Sequence, residues 1–295
     1  MGLSALMVSA LLMGAGTVWI GAVAASRPPE LLAFIGFSLT ALLFRFNAMR
    51  NAPASITSRT RAILIKANLA TAGVFLSFYL ALAYLVPSQA ATIQAGIAPL
   101  AAIASERLSG VPLLQRGGVR VASTFIAAGL FVALWSVFES GADRVRFGLL
   151  LLGVVLASLS GAATAALTRY LRDLVEAGWS NPRILANRFY AVIVLAIALF
   201  LYRNPNAIRA PTLDDVTLAL PCFFFIALPI YLLQVGIAKT NILVTLFSIN
   251  LVPTVTLLMQ SMFASYNWSA LSVIATILTT FGVFCYLLAS VQGKK

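Results

Sequence analysis

Apolar stretches of about twenty residues recur along the whole chain, and this pattern restricts what the chain can fold into. A transmembrane α-helix needs about 20 mainly apolar residues to cross the hydrocarbon core of a bilayer. Ten stretches reach or approach that length, and several are separated by connections rich in Pro, Asn and Arg. They lie at about residues 3–24, 30–46, 62–85, 88–105, 118–137, 146–168, 184–202, 215–237, 241–263 and 268–290. The sequence therefore predicts ten transmembrane helices.

The composition indicates that the surrounding solvent is lipid. Of the 295 residues, 61% are hydrophobic and 9% are charged, whereas a soluble domain carries about 25% charged residues. Ten helices use roughly 200 residues, so the remainder suffices for short connections and leaves no room for a soluble catalytic domain. We therefore predict an all-α integral membrane protein.

The basic residues predict the orientation of the helices, because cytoplasmic connections carry an excess of Lys and Arg. With a cytoplasmic N-terminus, all but five of the 20 basic residues fall on the cytoplasmic side. The five on the outer side are Arg27, Arg144, Arg146, Arg203 and Arg209. Both termini are thus predicted in the cytoplasm, and the short connections are typical of a bacterial inner membrane. Since the net charge of +12 is dispersed between apolar stretches, nucleic-acid binding is not predicted.

The two halves of the chain resemble each other around the predicted fourth and ninth helices. A shift of 154 positions aligns three pairs of residues: Pro99 with Pro253, Gln94 with Ser248, and Gly96 with Asn250. Because five helices separate the members of each pair, matching helices would cross the membrane in opposite directions. Many secondary transporters build a central site from inverted repeats of this kind. We predict two inverted five-helix repeats, residues 1–140 and 141–295.

Short motifs resemble the EamA-type drug/metabolite transporter superfamily. The segment from Ala81-Leu82-Ala83-Tyr84 through Ala98-Pro99 to Glu106-Arg107-Leu108 is similar to the third and fourth helices of that family. Asn187-Arg188-Phe189-Tyr190 is similar to the Arg-Phe opening of the second helix of its repeat. The resemblance implies a bundle of five plus five helices around a central cavity that opens alternately to either side.

Polar side chains inside the apolar stretches are the candidate substrate ligands, because polar groups in hydrocarbon tend to face a cavity or the bundle interior. Pro99 and Pro253 each free a carbonyl one turn earlier, as hinges or as tolerated kinks. Arg188 lies about a turn inside the membrane boundary, where it either snorkels to the interface, helps to close an inner gate or attracts an anionic group. The alternative role for the polar residues is interhelical hydrogen bonding, worth about 0.6 kcal/mol each. The candidate ligands are Gln94, Asn250, Tyr79, Tyr231, Ser248 and Trp19.

The acidic residues predict a carrier that does not use a buried carboxylate. All eight fall at the ends of predicted helices or between them: Glu30, Glu106, Glu139, Asp143, Asp173, Glu176, Asp214 and Asp215. Since proton-coupled carriers usually keep an ionisable residue at membrane depth, we expect facilitated diffusion or exchange. The chain has no His, no Gly-rich phosphate loop, no Gly-x-Ser-x-Gly and no His-Glu-x-x-His. We therefore expect no enzymatic activity, no metal site and no cofactor.

The sequence predicts a secondary transporter or exporter of small metabolites that works by alternating access. By resemblance, amino acids or related compounds are the expected substrates, and the membrane lipids and the substrate are the expected partners. The oligomeric state stays open. Two alternatives also stay open: a flippase for a lipid-linked sugar or lipid headgroup, which a lateral opening between helices would favour, and a non-transporting scaffold, which a close-packed bundle without a cavity would favour.

Overall fold

The computed structural model describes residues 2–24, 26–48, 57–108, 117–139, 144–205, 217–237, 239, 250–262, 266 and 269–292. These residues form helices and short turns, and no β-strand occurs among them. A π-helical segment, Phe223–Ala227, joins two of the helices. The helices are α1 Gly2–Val23, α2 Pro29–Ala48, α3 Ser58–Ala81, α4 Pro87–Leu108, α5 Gly117–Glu139, α6 Arg144–Glu176, α7 Asn181–Asn187, α8 Tyr190–Arg203, α9 Ala219–Cys222, α10 Leu228–Ile237, α11 Val252–Ser261 and α12 Ala270–Gln292.

The described helices have the length and composition of membrane spans. Six segments are long and apolar enough to cross a membrane: Gly2–Val23, Pro29–Phe46, Ser58–Ala81, Gly117–Glu139, Arg146–Glu176 and Asn181–Arg203. Large apolar side chains cover their outward faces, among them Phe46, Phe131 and Trp135. Exposed apolar surface on this scale is suited to lipid rather than water. The prediction of an all-α membrane protein is confirmed at this level.

The helix α6 is longer than the predicted stretch 146–168. Its 33 residues span about 50 Å, so it extends past the hydrocarbon core. The additional turns are held by a separate apolar cluster in which Leu174 packs with Trp179 and Ile184. Gly178, with φ 84°, then turns the chain towards α7. This apolar cluster thus supports the helix beyond the boundary that hydropathy predicts.

The predicted helix 184–202 is broken at Arg188 and Phe189, between α7 and α8. Asn68 of α3 holds the break from the side. Its Nδ2 donates to the carbonyl oxygen of Asn187 at 2.7 Å, and its Oδ1 accepts from the backbone N–H of Ala191 at 3.3 Å. A side chain that takes over backbone hydrogen bonds is a recognised cause of helix kinks.

The helices pack in a pattern that places a space at the centre. Helix α1 lies against α10 and α11, whereas α6 lies against α3 and α4. The pairs α2 with α7–α8 and α5 with α12 complete the most extensive contacts. Gly161 allows the close approach of α6 to α4, since a Cβ there would lie 2.7 Å from the carbonyl oxygen of Gln94.

Candidate functional site

A cavity of about 630 Å³ lies between α1, α3, α4, α6, α7, the π-helical segment, α10 and α11. Its wall is mainly apolar and includes the aromatic side chains of Phe75, Phe78 and Phe225. Its polar lining consists of Thr17, Tyr79, Gln94, Thr164, Thr168, Arg172, Asn181, Arg188 and Asn250. A few polar groups in a largely apolar wall, in a volume of this size, are typical of a small-molecule site.

The cavity reaches the surface at the C-terminal end of α6. Arg172 lines the cavity, and 63% of its side chain is exposed. Its guanidinium lies 3.7 Å from the Glu176 carboxylate, which is also exposed. We call this side of the cavity the open end.

On the opposite side, buried residues near the start of α4 form hydrogen bonds that join α4 to the neighbouring helices. The backbone N–H of Ser88 donates to Gln260 Oε1 at 3.0 Å. Gln89 Nε2 donates to Ser136 Oγ at 3.1 Å, and the hydroxyls of Thr92 and Thr276 lie 2.9 Å apart. Gly153 meets Leu85 and Gly161 meets Ile97, so α4 and α6 run in the same direction and the start of α4 lies far from Arg172. We call this hydrogen-bonded side the closed end.

Two further contacts tighten the closed end. Gly21 of α1 lies so near the start of α4 that a Cβ there would approach Pro87 Cγ to 2.8 Å and the hydroxyl of Tyr266 to 3.3 Å. Burial raises the pKa of the Tyr266 phenol above its ordinary value.

Arg188 is buried at the break between α7 and α8 and lines the cavity. Its residue surface is only 5% exposed, so the side chain does not reach the interface as the snorkelling alternative requires. The guanidinium carbon lies 4.9 Å from the centre of the Phe189 ring. The Nε group has no hydrogen-bond partner, and no ion pair joins Arg188 to any residue that the structure describes.

An aromatic cluster fixes the backbone around Arg188. The ring of Phe37 in α2 lies 5.5 Å from that of Phe189, 4.7 Å from that of Phe75 and 6.0 Å from that of Tyr79. Phe37 and Phe189 are fully buried. Because these rings come from α2, α3 and the residue preceding α8, the cluster holds the helix break against the cavity wall.

The structure brings five of the nine candidate site residues to the cavity: Tyr79, Gln94, Arg188, Asn250 and Pro253. Trp19 stacks on Phe225 at 5.5 Å without lining the cavity itself. Tyr231 follows a cavity residue, Ile230, but is 46% exposed and stacks on Phe44. Pro99 is also absent from the lining, and Ser248 lies outside the described residues.

Gln94 both lines the cavity and forms a hydrogen bond to another helix. Its Nε2 donates to Ser160 Oγ at 2.7 Å, and that hydroxyl donates to the carbonyl oxygen of Val74 at 2.6 Å. This chain ties α4 to α6 and α3 beside the cavity that Gln94 lines. Asn250 lines the cavity and likewise has an interaction partner in the structure. Interhelical bonding and a place in the cavity wall are therefore compatible at Gln94.

Sequence reasoning missed two parts of the cavity wall. Thr17 and Gly16 in α1 line it, as does Phe225 in the π-helical segment. In α1, the residues Met13, Gly16, Thr17 and Ile20 recur at spacings of three and four, which place them on one helix face. That small and polar face was a usable signal, whereas the π-helical segment has no reliable sequence pattern.

The expectation that the chain has no buried carboxylate is wrong for Glu30. This residue does lie at the start of α2, but it is only 1% exposed. Its Oε1 lies 3.7 Å from Arg203 Nη1, and its Oε2 has no hydrogen-bond partner. The burial arises because the start of α2 packs against α8, a contact between distant parts of the sequence. Glu30 is not among the residues that line the cavity.

Comparison with known proteins identifies a fold and no activity. No family model matches the chain, and no curated protein matches it. A solved structure described only as "Crystal structure of protein" is similar with a TM-score of 0.62 and 15% sequence identity. The similarity covers 99% of this chain and 99% of that chain. At this identity the likeness shows the fold alone, over nearly the full length of both chains.

Proposed function

We propose that this protein is a secondary transporter of small metabolites that works by alternating access in a bacterial inner membrane. The observation that carries the proposal is the cavity of about 630 Å³, which reaches the surface at the open end. On the other side, hydrogen bonds join the start of α4 to its neighbouring helices. A carrier has this form in a conformation whose substrate cavity is open to one side of the membrane. A close-packed scaffold has no need of such a space.

The packing of the helices supports an inverted repeat of five plus five membrane spans. In this reading α7–α8 form one span, as do α9, the π-helical segment and α10. The contacts of α1 with α10 and α11 then correspond to the contacts of α6 with α3 and α4. The pairs α2 with α7–α8 and α5 with α12 correspond to themselves. Such an exchange is what an inverted repeat around a central site requires.

The basic residues and the cavity together support an inward-open state. With both termini in the cytoplasm, the end of α6 lies on the cytoplasmic side, because its basic residues Arg169 and Arg172 belong to the cytoplasmic group. The open end of the cavity is then cytoplasmic. The closed end, with the pair Glu30 and Arg203 at the same side of the membrane, is extracytoplasmic.

The cavity favours amino acids or related compounds as substrates, as the resemblance to EamA-type transporters also implies. Aromatic and aliphatic side chains would receive an apolar body, and Gln94 and Asn250 supply polar groups beside it. No acidic residue occurs among the described residues of the lining. Facilitated diffusion or exchange therefore suits this site better than proton coupling through a carboxylate in the cavity.

Counterflow in liposomes that contain the purified protein tests the proposal. We expect saturable exchange of at least one labelled amino acid, and weaker exchange in Asn250→Ala and Gln94→Ala because both side chains line the cavity. Tyr231→Phe is the matched control, since Tyr231 lies on the outer face beside Phe44, and it should exchange at the wild-type rate. Failure to exchange any amino acid or aromatic carboxylic acid would contradict the transport function.

A further inference from the structure

We infer that Arg188 binds the carboxylate of an organic acid whose apolar body occupies the aromatic part of the cavity. The inference rests on the proposed function and names the substrate class for the same cavity. It follows from four observations: the burial of Arg188, its lack of a partner, the charge balance of the wall and the position of the helix break.

The burial of an unpartnered guanidinium is the first step. Arg188 is 5% exposed, and its Nε has no hydrogen-bond partner. A guanidinium carries five N–H donors and stays charged in proteins. Removing a charge from water without a compensating partner costs free energy, so the arrangement is destabilising unless a partner arrives. A bound anion that the empty protein lacks would supply that partner.

The charges of the cavity wall identify the sign of the ligand. Arg172 and Arg188 are the charged side chains of the lining, and no acidic residue lines it in the described part of the chain. Glu176 already neutralises Arg172 at the surface. Arg188 is left as the charge deep in the wall without a counter-charge. A cationic ligand would be repelled there, whereas a carboxylate would restore electroneutrality.

The helix break places Arg188 between the ends of two helices. Helix α8 begins at Tyr190, two residues after Arg188, and has 14 residues. The N-terminus of a helix carries about half a positive charge and favours anions. Asn68 holds this end of α8 in place through Ala191. Arg188 is also the C-cap of α7, an end that carries negative potential, and no residue of α8 lines the described cavity wall. The positive charge that faces the cavity is therefore that of the guanidinium itself.

The remaining wall identifies the body of the ligand. Phe75, Phe78 and Phe225 line the cavity together with Ile20 and Ile230. These side chains would surround an aromatic or branched aliphatic group. The planar fork of an arginine matches a carboxylate with two parallel hydrogen bonds. A compound with one aromatic ring and one carboxylate, such as 3-phenylpropionate, combines both features and serves as the probe.

The test compares binding of 3-phenylpropionate and its neutral amide, 3-phenylpropionamide, by calorimetry with the protein in lipid nanodiscs. We expect the wild-type protein to bind the acid roughly tenfold or more tightly than the amide, because a hydrogen-bonded charge pair is worth at least that ratio. Arg188→Gln should lower affinity for the acid by a similar factor and leave affinity for the amide within about twofold. Equal binding of the acid by Arg188→Gln and wild type would overturn the inference.

Two further variants separate a binding role from a structural one. Arg59→Gln removes an exposed positive charge of α3 that does not line the cavity, and its affinity for the acid should therefore stay within about twofold of wild type. Arg188→Lys keeps the charge and loses the fork, so it should bind the acid with intermediate affinity and carries the test if Arg188→Gln does not fold. Without ligand, Arg188→Gln should unfold at the wild-type temperature or above. If Arg188 had only a structural role, Arg188→Gln would instead lower the unfolding temperature.

Counterflow with labelled 3-phenylpropionate and labelled phenylalanine distinguishes this inference from the transport function. Arg188-dependent binding of the acid without counterflow of either compound supports the anion site and contradicts transport. Counterflow of phenylalanine that Arg188→Gln leaves unchanged supports transport and overturns the assignment of Arg188. Preference for the amide over the acid also overturns it, whatever the transport result.

Discussion

The closed end and the cavity wall around Arg188 differ in whether their buried polar groups have hydrogen-bond partners. At the closed end, Ser88, Gln89 and Thr92 of α4 each find a buried hydrogen-bond partner on another helix. In the cavity wall, Arg188 has no such partner in the described structure. The backbone N–H of Ser88 and the side chains of Gln89 and Thr92 are therefore paired without a ligand, whereas the Arg188 guanidinium is not. In a carrier, this difference would let a ligand drive closure by pairing with that guanidinium.

Two buried charged residues show the same contrast between a paired and an unpaired group. Glu30 and Arg188 are 1% and 5% exposed, and both belong to the pairing of α2 with α7–α8. Glu30 has Arg203 as a counter-ion at 3.7 Å, but Arg188 faces a cavity. The ion pair of Glu30 with Arg203 links α2 to α8 at the closed end. The unpaired charge of Arg188 is available to a ligand in the cavity.

The largest expected effect comes from removing the side chain that supports the helix break at Arg188. Asn68→Leu leaves the carbonyl of Asn187 and the N–H of Ala191 without their partner, which should cost about 2 to 3 kcal/mol because both groups are partly buried. We also expect weaker binding of 3-phenylpropionate, since Arg188 lies within this break. Thermal unfolding and calorimetry measure the two effects. Thr71→Val in the same helix removes only a hydrogen bond to the carbonyl of Ala67 in α3 and should lose less; a wild-type melting temperature for Asn68→Leu would show that the break needs no clamp.

Hydropathy predicted the spans well where the membrane alone decides. The stretches 3–24 and 118–137 agree with α1 and α5 to within a few residues, because lipid requires apolar side chains along the whole segment. It missed the break in 184–202, which depends on Asn68, a residue 119 positions before Asn187. It also missed the extension of α6. A contact between distant segments decides the break. The extension packs on Trp179 and Ile184 and on Ala67 and Val74 of α3, and a hydropathy average does not contain these contacts.

The candidate site was predicted partly, for a related reason. Exposing a polar side chain to lipid costs free energy, and Gln94 and Asn250 accordingly lie at the cavity. Exposing an aromatic side chain to lipid does not carry the same cost, and Tyr231 lies on the outer face. The burial of Glu30 was not predictable from its place at a helix end, because it follows from the packing of α8 against α2.

A smaller effect should separate the two members of the charge pair at the closed end. Arg203→Gln leaves the Glu30 carboxylate buried without a counter-ion, and should cost about 2 kcal/mol after allowance for the exposure of Arg203. Glu30→Gln leaves a half-exposed arginine that water can solvate, and should cost less. Thermal unfolding of both variants measures the difference. Equal losses, or a larger loss for Glu30→Gln, would contradict the view that the buried partner sets the cost.

The smallest predicted effect concerns the hydrogen bonds of the closed end. Gln260→Leu removes the acceptor of the Ser88 N–H and should cost about 1 kcal/mol, because that buried donor is left unpaired. Thr40→Val, the matched control, removes a buried hydroxyl that bonds only within its own helix, to the carbonyl of Gly36, and should cost less. If the closed end is held by the bonds of α4, an Ala91→Cys variant should react faster with a membrane-impermeant maleimide from outside when it carries Gln260→Leu than when it carries Thr40→Val. Equal rates in both variants and in the parent protein would mean that helix packing alone keeps this end shut, and the contrast with the cavity wall would then rest on Arg188 alone.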